Sequence, residues 1–193
     1  DHMRKTTVLM YDLEPDAERL FHELHNSFEA MARCSAAWHI SSQGNVTDWK
    51  RNAGAGKLLD RKKINLSSKN PPYVKSNIST PSIPVGKQTL YFFPDKVIVY
   101  EANSVGAVSY ENLVIKLREA QFIEDQGVPS DSKVVGKTWR FVNKQGGPDR
   151  RFNNNREIPI ALYEEVNFTS ATGLNERIQL SKTGVAQKFK ENI

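Results

Sequence analysis

A segment rich in glycine and arginine, KQGGPDRRFNNNR at residues 144–156, carries the side chains best suited to bind an anion. Its three guanidinium groups offer forked donors that match the oxygens of phosphate or carboxylate. The Gly-Gly-Pro-Asp turn reverses the chain, and the three asparagines after it tolerate left-handed backbone angles. The alternative is an ordinary hairpin end whose arginines pair with neighbouring carboxylates. The site residues predicted in this segment are Lys144, Arg150, Arg151, Asn154 and Arg156.

A second basic segment lies at residues 50–75, where eight Lys or Arg residues stand against one acid. Residues 133–156 hold seven basic residues against one acid, so the two segments together carry an excess of 13 positive charges. The rest of the chain is acidic by 8, because the net charge is +5. This segregation predicts an anion-binding face, although the lysines could instead simply solvate two loops. The partner-binding residues predicted in the first segment are Lys50, Arg51, Lys57 and Arg61.

Aromatic residues are interleaved with both basic segments. Such rings either stack on nucleic-acid bases or pack beneath arginines. Nucleic acid and other phosphate-bearing ligands are therefore candidate partners, beside a protein partner. The interleaved aromatic residues are Trp49, Tyr73, Trp139 and Phe152.

Motifs for nucleotide hydrolysis, metal binding and nucleophilic catalysis are incomplete. GAGK at 54–57 matches part of a phosphate-binding loop, but Arg51 stands where the first glycine is required and Leu58 follows the lysine. His22 and His25 share a helical face without a clearly paired acid, which favours an exposed polar face over a metal site. Neither a Gly-x-Ser-x-Gly elbow nor the Glu-x-Lys pattern of metal nucleases occurs. We therefore predict no catalytic residues, no metal and no cofactor, with a divergent nuclease-like enzyme as an alternative.

The composition is that of a folded protein: 193 residues, 38% apolar and 25% charged. It excludes a disordered chain, a collagen-like repeat and a disulfide scaffold. The one cysteine, Cys34, excludes an intrachain disulfide and favours a reducing, cytoplasmic setting. No apolar run of about 18 residues occurs, so no membrane-spanning helix is predicted. The pair His2-Met3 is typical of a cloning scar, which indicates a piece of a longer protein.

The clearest element is an amphipathic helix from Pro15 to about Cys34, whose apolar residues recur at three- and four-residue steps. A long surface connection, with short extended pieces such as KKINL at 62–66, is predicted over the Pro- and Gly-containing residues 50–88. The β-type sequence beyond it predicts six or seven short strands, among them hairpins at 88–101 and 158–181, and then a C-terminal helix. The predicted parts are a strand–helix–strand element (1–49), a basic connection (50–85) and a β domain with its helix (86–193).

The run TLYFFPDKVIVYEANSVGAVSYENLVIK, residues 89–116, resembles the opening hairpin and third strand of bacterial pleckstrin-homology-like domains. YEEVNFTS, NERIQLS and TGVAQKFKENI are similar to the final strands and capping helix of that fold. The resemblance covers residues 86–193 and implies an α+β fold of predominantly antiparallel strands, a barrel or sandwich. The 143–157 loop and the N-terminal part depart from that layout. VGKTWRFVNKQGGPDRRFNNNREIPI also resembles a segment of uncharacterised bacterial proteins.

These features predict a non-enzymatic binding or scaffolding module of a larger bacterial protein. It would recognise an anionic or peptide partner through the basic loops at 50–75 and 143–156. One alternative is a protein–protein interaction module that uses a strand edge or an apolar groove. The other is a divergent, nuclease-like enzyme that processes nucleic acid. The fold resemblance does not by itself imply lipid binding, because such barrels serve many roles.

Overall fold

The computed structural model describes residues 6–45, 52, 53, 55 and 57–193. Its longest helix, α1 (Pro15–Ala32), confirms the predicted amphipathic helix. Pro15 takes the first helical position, and Asp16 and Glu18 lie in the first turn, where the positive end of the helix dipole favours acids. No helix in this part of the chain is both long and apolar enough to cross a membrane. The buried residues of α1 are Leu24, Ser27, Phe28 and Met31.

The described strands form three sheets, and a short helix, α2 (Gln187–Glu191), follows the last strand. A parallel pair joins β1 (Thr7–Leu9) and β5 (Val74–Ser76). The largest sheet contains β2 (Ala37–Asn45), β3 (Lys57–Ile64), β10 (Leu113–Ile123), β11 (Lys133–Trp139), β12 (Glu157–Ser170) and β13 (Asn175–Leu180). The other sheet contains β4 (Ser67–Ser68), β6 (Pro81–Val85), β7 (Gln88–Phe92), β8 (Lys96–Glu101) and β9 (Ser104–Ser109).

The largest sheet is antiparallel, in the order β10-β12-β13-β2-β3. Its longest strand, β12, pairs with β10 along one edge and with both β13 and β11 along the other. The β12–β13 pairing confirms the predicted hairpin at 158–181. Because β11 and β12 are consecutive strands paired with each other, the basic segment between them is held at one end of this sheet.

The other large sheet is antiparallel as well, in the order β4-β6-β7-β8-β9. Its β7–β8 pairing confirms the predicted hairpin at 88–101. The chain is thus of the α+β class, mostly antiparallel sheets with two helices, as predicted. Within the described strands, no sheet closes on itself.

A shared apolar core connects the two large sheets and both helices. The ring of Phe92 in β7 lies 6.0 Å from that of Phe168 in β12 and 5.1 Å from that of Phe189 in α2, centre to centre. Phe189 in turn lies 6.0 Å from Phe28 of α1. All four rings are fully buried. The core therefore fixes the sheet that carries the basic segment between β11 and β12.

Residues 57–85 contain four strands, more regular structure than the long connection with short extended pieces predicted for this region. Pro81 and Pro84 argue against a strand, since proline cannot donate to a sheet ladder. In the structure β4 pairs with β6 at Pro81 and Ser82, so the register of β4 does not extend to Pro84, which is paired with Thr89 of β7. Proline is tolerated at such an edge position. The division of the chain into three parts stays a prediction.

Candidate functional site

The loop between β11 and β12, residues 140–156, is shaped by the side chain of Asn143. Its Oδ1 accepts hydrogen bonds from the backbone N–H of Gln145 (2.9 Å) and of Gly147 (3.0 Å). Gly146 between them has a φ of +82°, a conformation that glycine adopts without strain. At Gly147 a Cβ atom would lie only 3.2 Å from Asn143 Nδ2, so any larger residue there would crowd the side chain that holds the turn. This turn brings the two arms of the loop together.

A second asparagine, Asn155, joins the two arms at their base. Its Oδ1 accepts from the N–H of Phe141 at 3.0 Å, and its Nδ2 donates to the carbonyl of Phe141 at 2.7 Å. The asparagines at 153–155 tolerate left-handed backbone but do not adopt it, since the described non-glycine residues with positive φ are Ala53 and Tyr73. Asn155 therefore stabilises the loop through its side-chain amide, which bonds both the N–H and the carbonyl of Phe141.

Asp149 orients one of the predicted arginines. Its carboxylate accepts from Arg151 Nε at 3.0 Å and from Arg151 Nη2 at 2.6 Å, and also from the Arg151 backbone N–H at 3.1 Å. These hydrogen bonds raise the pKa of the Arg151 guanidinium, which is charged at any physiological pH in any case. Asp149 is only 6% exposed, whereas the Arg151 side chain is 75% exposed. The pair thus holds a solvated guanidinium in a defined direction.

The folded loop borders an open pocket of about 480 Å³. The Phe141 and Phe152 rings stack on each other in its wall, with centres 4.1 Å apart and planes 15° apart. The guanidinium carbon of Arg140 lies 5.6 Å from the centre of the Phe141 ring. A pocket with cations, aromatic faces and amides together can hold a ligand that is both planar and anionic. The lining residues are Arg140, Phe141, Arg151, Phe152, Asn153 and Asn154.

The other predicted residues of this loop do not line the pocket. Lys144 and Arg150 are exposed, and neither has an ion-pair partner in the described part of the chain. Arg156 is exposed and donates to the carbonyl of Asp125 at 3.4 Å. Arg151 and Asn154 thus line the pocket, and the other three predicted residues add positive charge elsewhere on the loop.

The first basic segment reaches this loop through its backbone. Ala53 donates to the carbonyl of Arg140 at 3.1 Å, and its own carbonyl accepts from Thr138 Oγ1 at 2.8 Å. Lys50 and Arg51 lie outside the described residues, and of Lys57 only the backbone, in β3, is described. The two basic segments therefore meet at residues 53 and 140.

Arg61, predicted as a partner-binding residue, has its guanidinium turned inward. The side chain is 12% exposed, and its Nη2 lies 2.5 Å from Glu124 Oε2. The guanidinium carbon is 4.3 Å from the ring centre of Trp38 and 3.8 Å from that of Phe122. A cation already held by two aromatic faces and a buried carboxylate is not presented to a ligand. We therefore leave Arg61 out of the candidate site.

Four residues that line the pocket are not among the predicted site residues, although one of them, Phe152, is among the interleaved aromatic residues. They are Arg140, Phe141, Phe152 and Asn153. Arg140 and Phe141 end the β11 side of the hairpin, whereas the predicted residues are on or beyond its turn. The pairing of β11 with β12 brings the two sides together, since Trp139 is opposite Glu157. The sequence signal that would have found Arg140 and Phe141 is the WRF triplet at 139–141, a cation between aromatic residues just before the turn.

The histidines His22 and His39 have hydrogen-bond partners, and the one cysteine is partly buried. His22 Nδ1 lies 3.0 Å from Asn26 Nδ2, and His39 Nε2 lies 2.7 Å from Glu176 Oε2. Burial raises the pKa of the Cys34 thiol, which disfavours its reactive thiolate form. Within the residues that the structure describes, no three His, Cys, Asp or Glu side chains are grouped so as to hold a metal ion.

Comparisons of this chain with models of known protein families, with curated proteins and with solved structures gave no significant match. Function is therefore inferred from the geometry of the site.

Proposed function

We propose that this chain is a non-enzymatic binding module that recognises an anionic partner through the loop at residues 140–156. One observation carries the proposal: the loop has five basic residues against one acid, and that acid, Asp149, is buried in its pair with Arg151. The other four basic side chains are exposed and form no ion pair with any described residue. They are Arg140, Lys144, Arg150 and Arg156.

The loop is also preorganised, which reduces the entropy cost of binding. Asn143 and Asn155 hold its two arms by side-chain hydrogen bonds to the backbone. Its ends belong to β11 and β12, which are paired with each other in the largest sheet. An anion that meets this loop therefore contacts cations whose positions are already determined.

Three further expectations from the sequence belong to this proposal. The segment at 50–75 would extend the site through Lys50, Arg51 and Lys57, a view supported by the hydrogen bond between Ala53 and Arg140. The resemblance of residues 86–193 to pleckstrin-homology-like domains is compatible with an α+β chain of mostly antiparallel strands. The interaction of a peptide with a strand edge also remains a prediction, for which β9, paired in the described chain only with β8, is the candidate edge.

The test is a binding titration of this chain with dye-labelled inorganic polyphosphate over a series of salt concentrations. We expect affinity to fall linearly with salt on a double logarithmic plot, since bound phosphates release counterions. The double variant Arg140→Ala/Arg150→Ala should reduce the magnitude of that slope by about 2, because each of the two arginines would otherwise neutralise one phosphate.

The matched control is the double variant Lys188→Ala/Lys190→Ala, which removes the same charge from exposed positions of α2. It should leave the slope nearly unchanged if the loop is the binding site. Absence of polyphosphate binding at low salt, or an equal loss in both double variants, would overturn the proposal.

A further inference from the structure

The aromatic pair at the pocket differs from the aromatic residues of the core. Phe28, Phe92, Phe168 and Phe189 are fully buried, but the stacked rings of Phe141 and Phe152 are only partly buried and line a pocket open to ligand. Exposed phenyl rings cost free energy in water, and a base that stacks on them removes apolar surface from solvent. An aromatic pair in such a place is therefore suited to receive a third planar group.

The backbone around these rings is held independently of any ligand. Phe141 donates to and accepts from the amide of Asn155, and the N–H of Phe152 donates to the Asp149 carbonyl at 3.3 Å. Such preordering favours base stacking, because a ring on an already fixed backbone loses little conformational freedom when a base binds.

Cationic and amide groups lie beside the rings in the same pocket. Arg140 has no carboxylate partner among the described residues, and Arg151 uses Nε and Nη2 for Asp149, which leaves its Nη1 for a phosphate oxygen. Asn153 and Asn154 are exposed, and an amide both donates and accepts, as the edges of bases require. The volume of about 480 Å³ is within the range of small-ligand sites.

We propose that this pocket binds a nucleobase of a single-stranded nucleic acid, stacked on the Phe141–Phe152 pair, with adjoining phosphates on Arg140 and Arg151. A duplex cannot satisfy this geometry, because its bases are already stacked on one another. This inference rests on the proposed function, which it deepens from an anion in general to a strand that offers both phosphates and unstacked bases.

The experiment measures fluorescence anisotropy of three dye-labelled decamers with the intact chain: mixed-sequence single-stranded RNA, the same sequence as DNA, and an abasic sugar–phosphate chain. We expect either base-containing strand to bind about tenfold more tightly than the abasic chain, the size typical of one stacked base. Phe152→Ala should remove that tenfold difference and leave the affinity for the abasic chain unchanged. Tyr73→Ala, which removes an exposed ring of the other basic segment, is the matched control and should not change it.

A second variant keeps the test decisive if Phe152→Ala fails to fold. Phe152→Trp preserves an aromatic face, so it should bind like the original chain, and its added tryptophan emission should be quenched when a base-containing strand binds. The abasic chain should bind without this quenching. The difference between RNA and DNA reports whether the sugar hydroxyl contributes.

The outcomes separate the two proposals. If all three decamers bind equally, and Phe152→Trp shows no quenching, the stacking inference is wrong and anion recognition stands. If the abasic chain and polyphosphate do not bind but the base-containing strands do, with loss on Phe152→Ala, anion recognition is wrong, and with it the phosphate contacts of Arg140 and Arg151, while stacking on Phe152 is supported. If an acidic protein or an anionic lipid vesicle binds more tightly than every strand, nucleic acid is not the partner.

Discussion

At the scale of single residues, the same side-chain type serves two purposes in this chain. The Arg61 guanidinium lies between Trp38 and Phe122 and is paired with Glu124, which is 2% exposed and also accepts from Tyr163 Oη at 2.8 Å. Arg140 is exposed and forms no ion pair within the described chain. Burial, followed by the hydrogen bond to Glu124, raises the pKa of Tyr163, so its hydroxyl stays protonated and donates. Whether an arginine is available to bind a ligand therefore depends on the residues packed around it, and the residue type alone does not decide it.

This contrast leads to a prediction for Glu124→Gln. Loss of the carboxylate leaves Arg61 as a buried cation without a counter-charge, which should lower the free energy of unfolding by about 3 kcal/mol. The control is Glu157→Gln, which breaks the exposed pair with Lys137 and should cost less than about 1 kcal/mol. Urea denaturation of both variants measures the difference, and equal effects would show that the Arg61 pair contributes no more than a surface pair.

At the scale of elements, the short helix α2 depends on a carboxylate from a strand. Glu164 of β12 is buried, and its oxygens accept from the backbone N–H of Gly184 (3.1 Å), Val185 (3.1 Å) and Ala186 (2.9 Å). A five-residue helix is unstable alone, because helix formation has a costly nucleus. Glu164 satisfies the N–H groups before the helix, and Phe189 anchors it in the core.

We therefore predict that Glu164→Gln weakens the attachment of α2. The amide offers one neutral acceptor oxygen in place of two charged ones, so the free energy of unfolding should fall by about 1–3 kcal/mol. Glu191→Gln, an exposed change within α2 itself, should have almost no effect. Urea denaturation gives the free energies, and amide hydrogen exchange at residues 184–186 should accelerate only in Glu164→Gln.

At the scale of the whole molecule, one core serves both large sheets. Phe92 contacts Phe168 of the largest sheet and Phe189 of α2. The N-terminal strands β2 and β3 belong to the same sheet as β10–β13, so this sheet unites distant parts of the chain. The charge is also unevenly distributed over the whole chain. The net charge of +5 is the sum of two basic segments and an acidic remainder.

A shared core predicts that Phe92→Ala destabilises the molecule as a unit. Truncation of a fully buried phenylalanine should cost about 3–5 kcal/mol. Val105→Ala, at an exposed position of β9, should cost less than about 0.5 kcal/mol. We expect tryptophan fluorescence and far-ultraviolet circular dichroism to follow one coincident transition in each case. Separate transitions would indicate that the parts at 1–49, 50–85 and 86–193 unfold independently.

The elements that the sequence predicts correctly are those with strong local patterns. The stripe of α1 and the hairpins at 88–101 and 158–181 each follow from a period of apolar residues and a short turn. In residues 57–85 the sequence predicts only short extended pieces such as KKINL within a connection, because proline, glycine and charge obscure the strand period there. Residue type identifies Arg151 and Asn154, but it does not identify Arg140 and Phe141, because they precede the turn.

The sequence by itself determined where positive charge accumulates, which stretches form the main helix and hairpins, and that a glycine turn separates two basic arms. Those features depend on neighbours within a few residues. Only the tertiary structure decided which cations are available to a ligand. Burial, ion pairing and ring stacking involve residues far apart in the chain, such as Arg61 with Glu124, and Phe141 with Phe152 across the loop. Charge is a property of the residue, but its availability is a property of the packing around it.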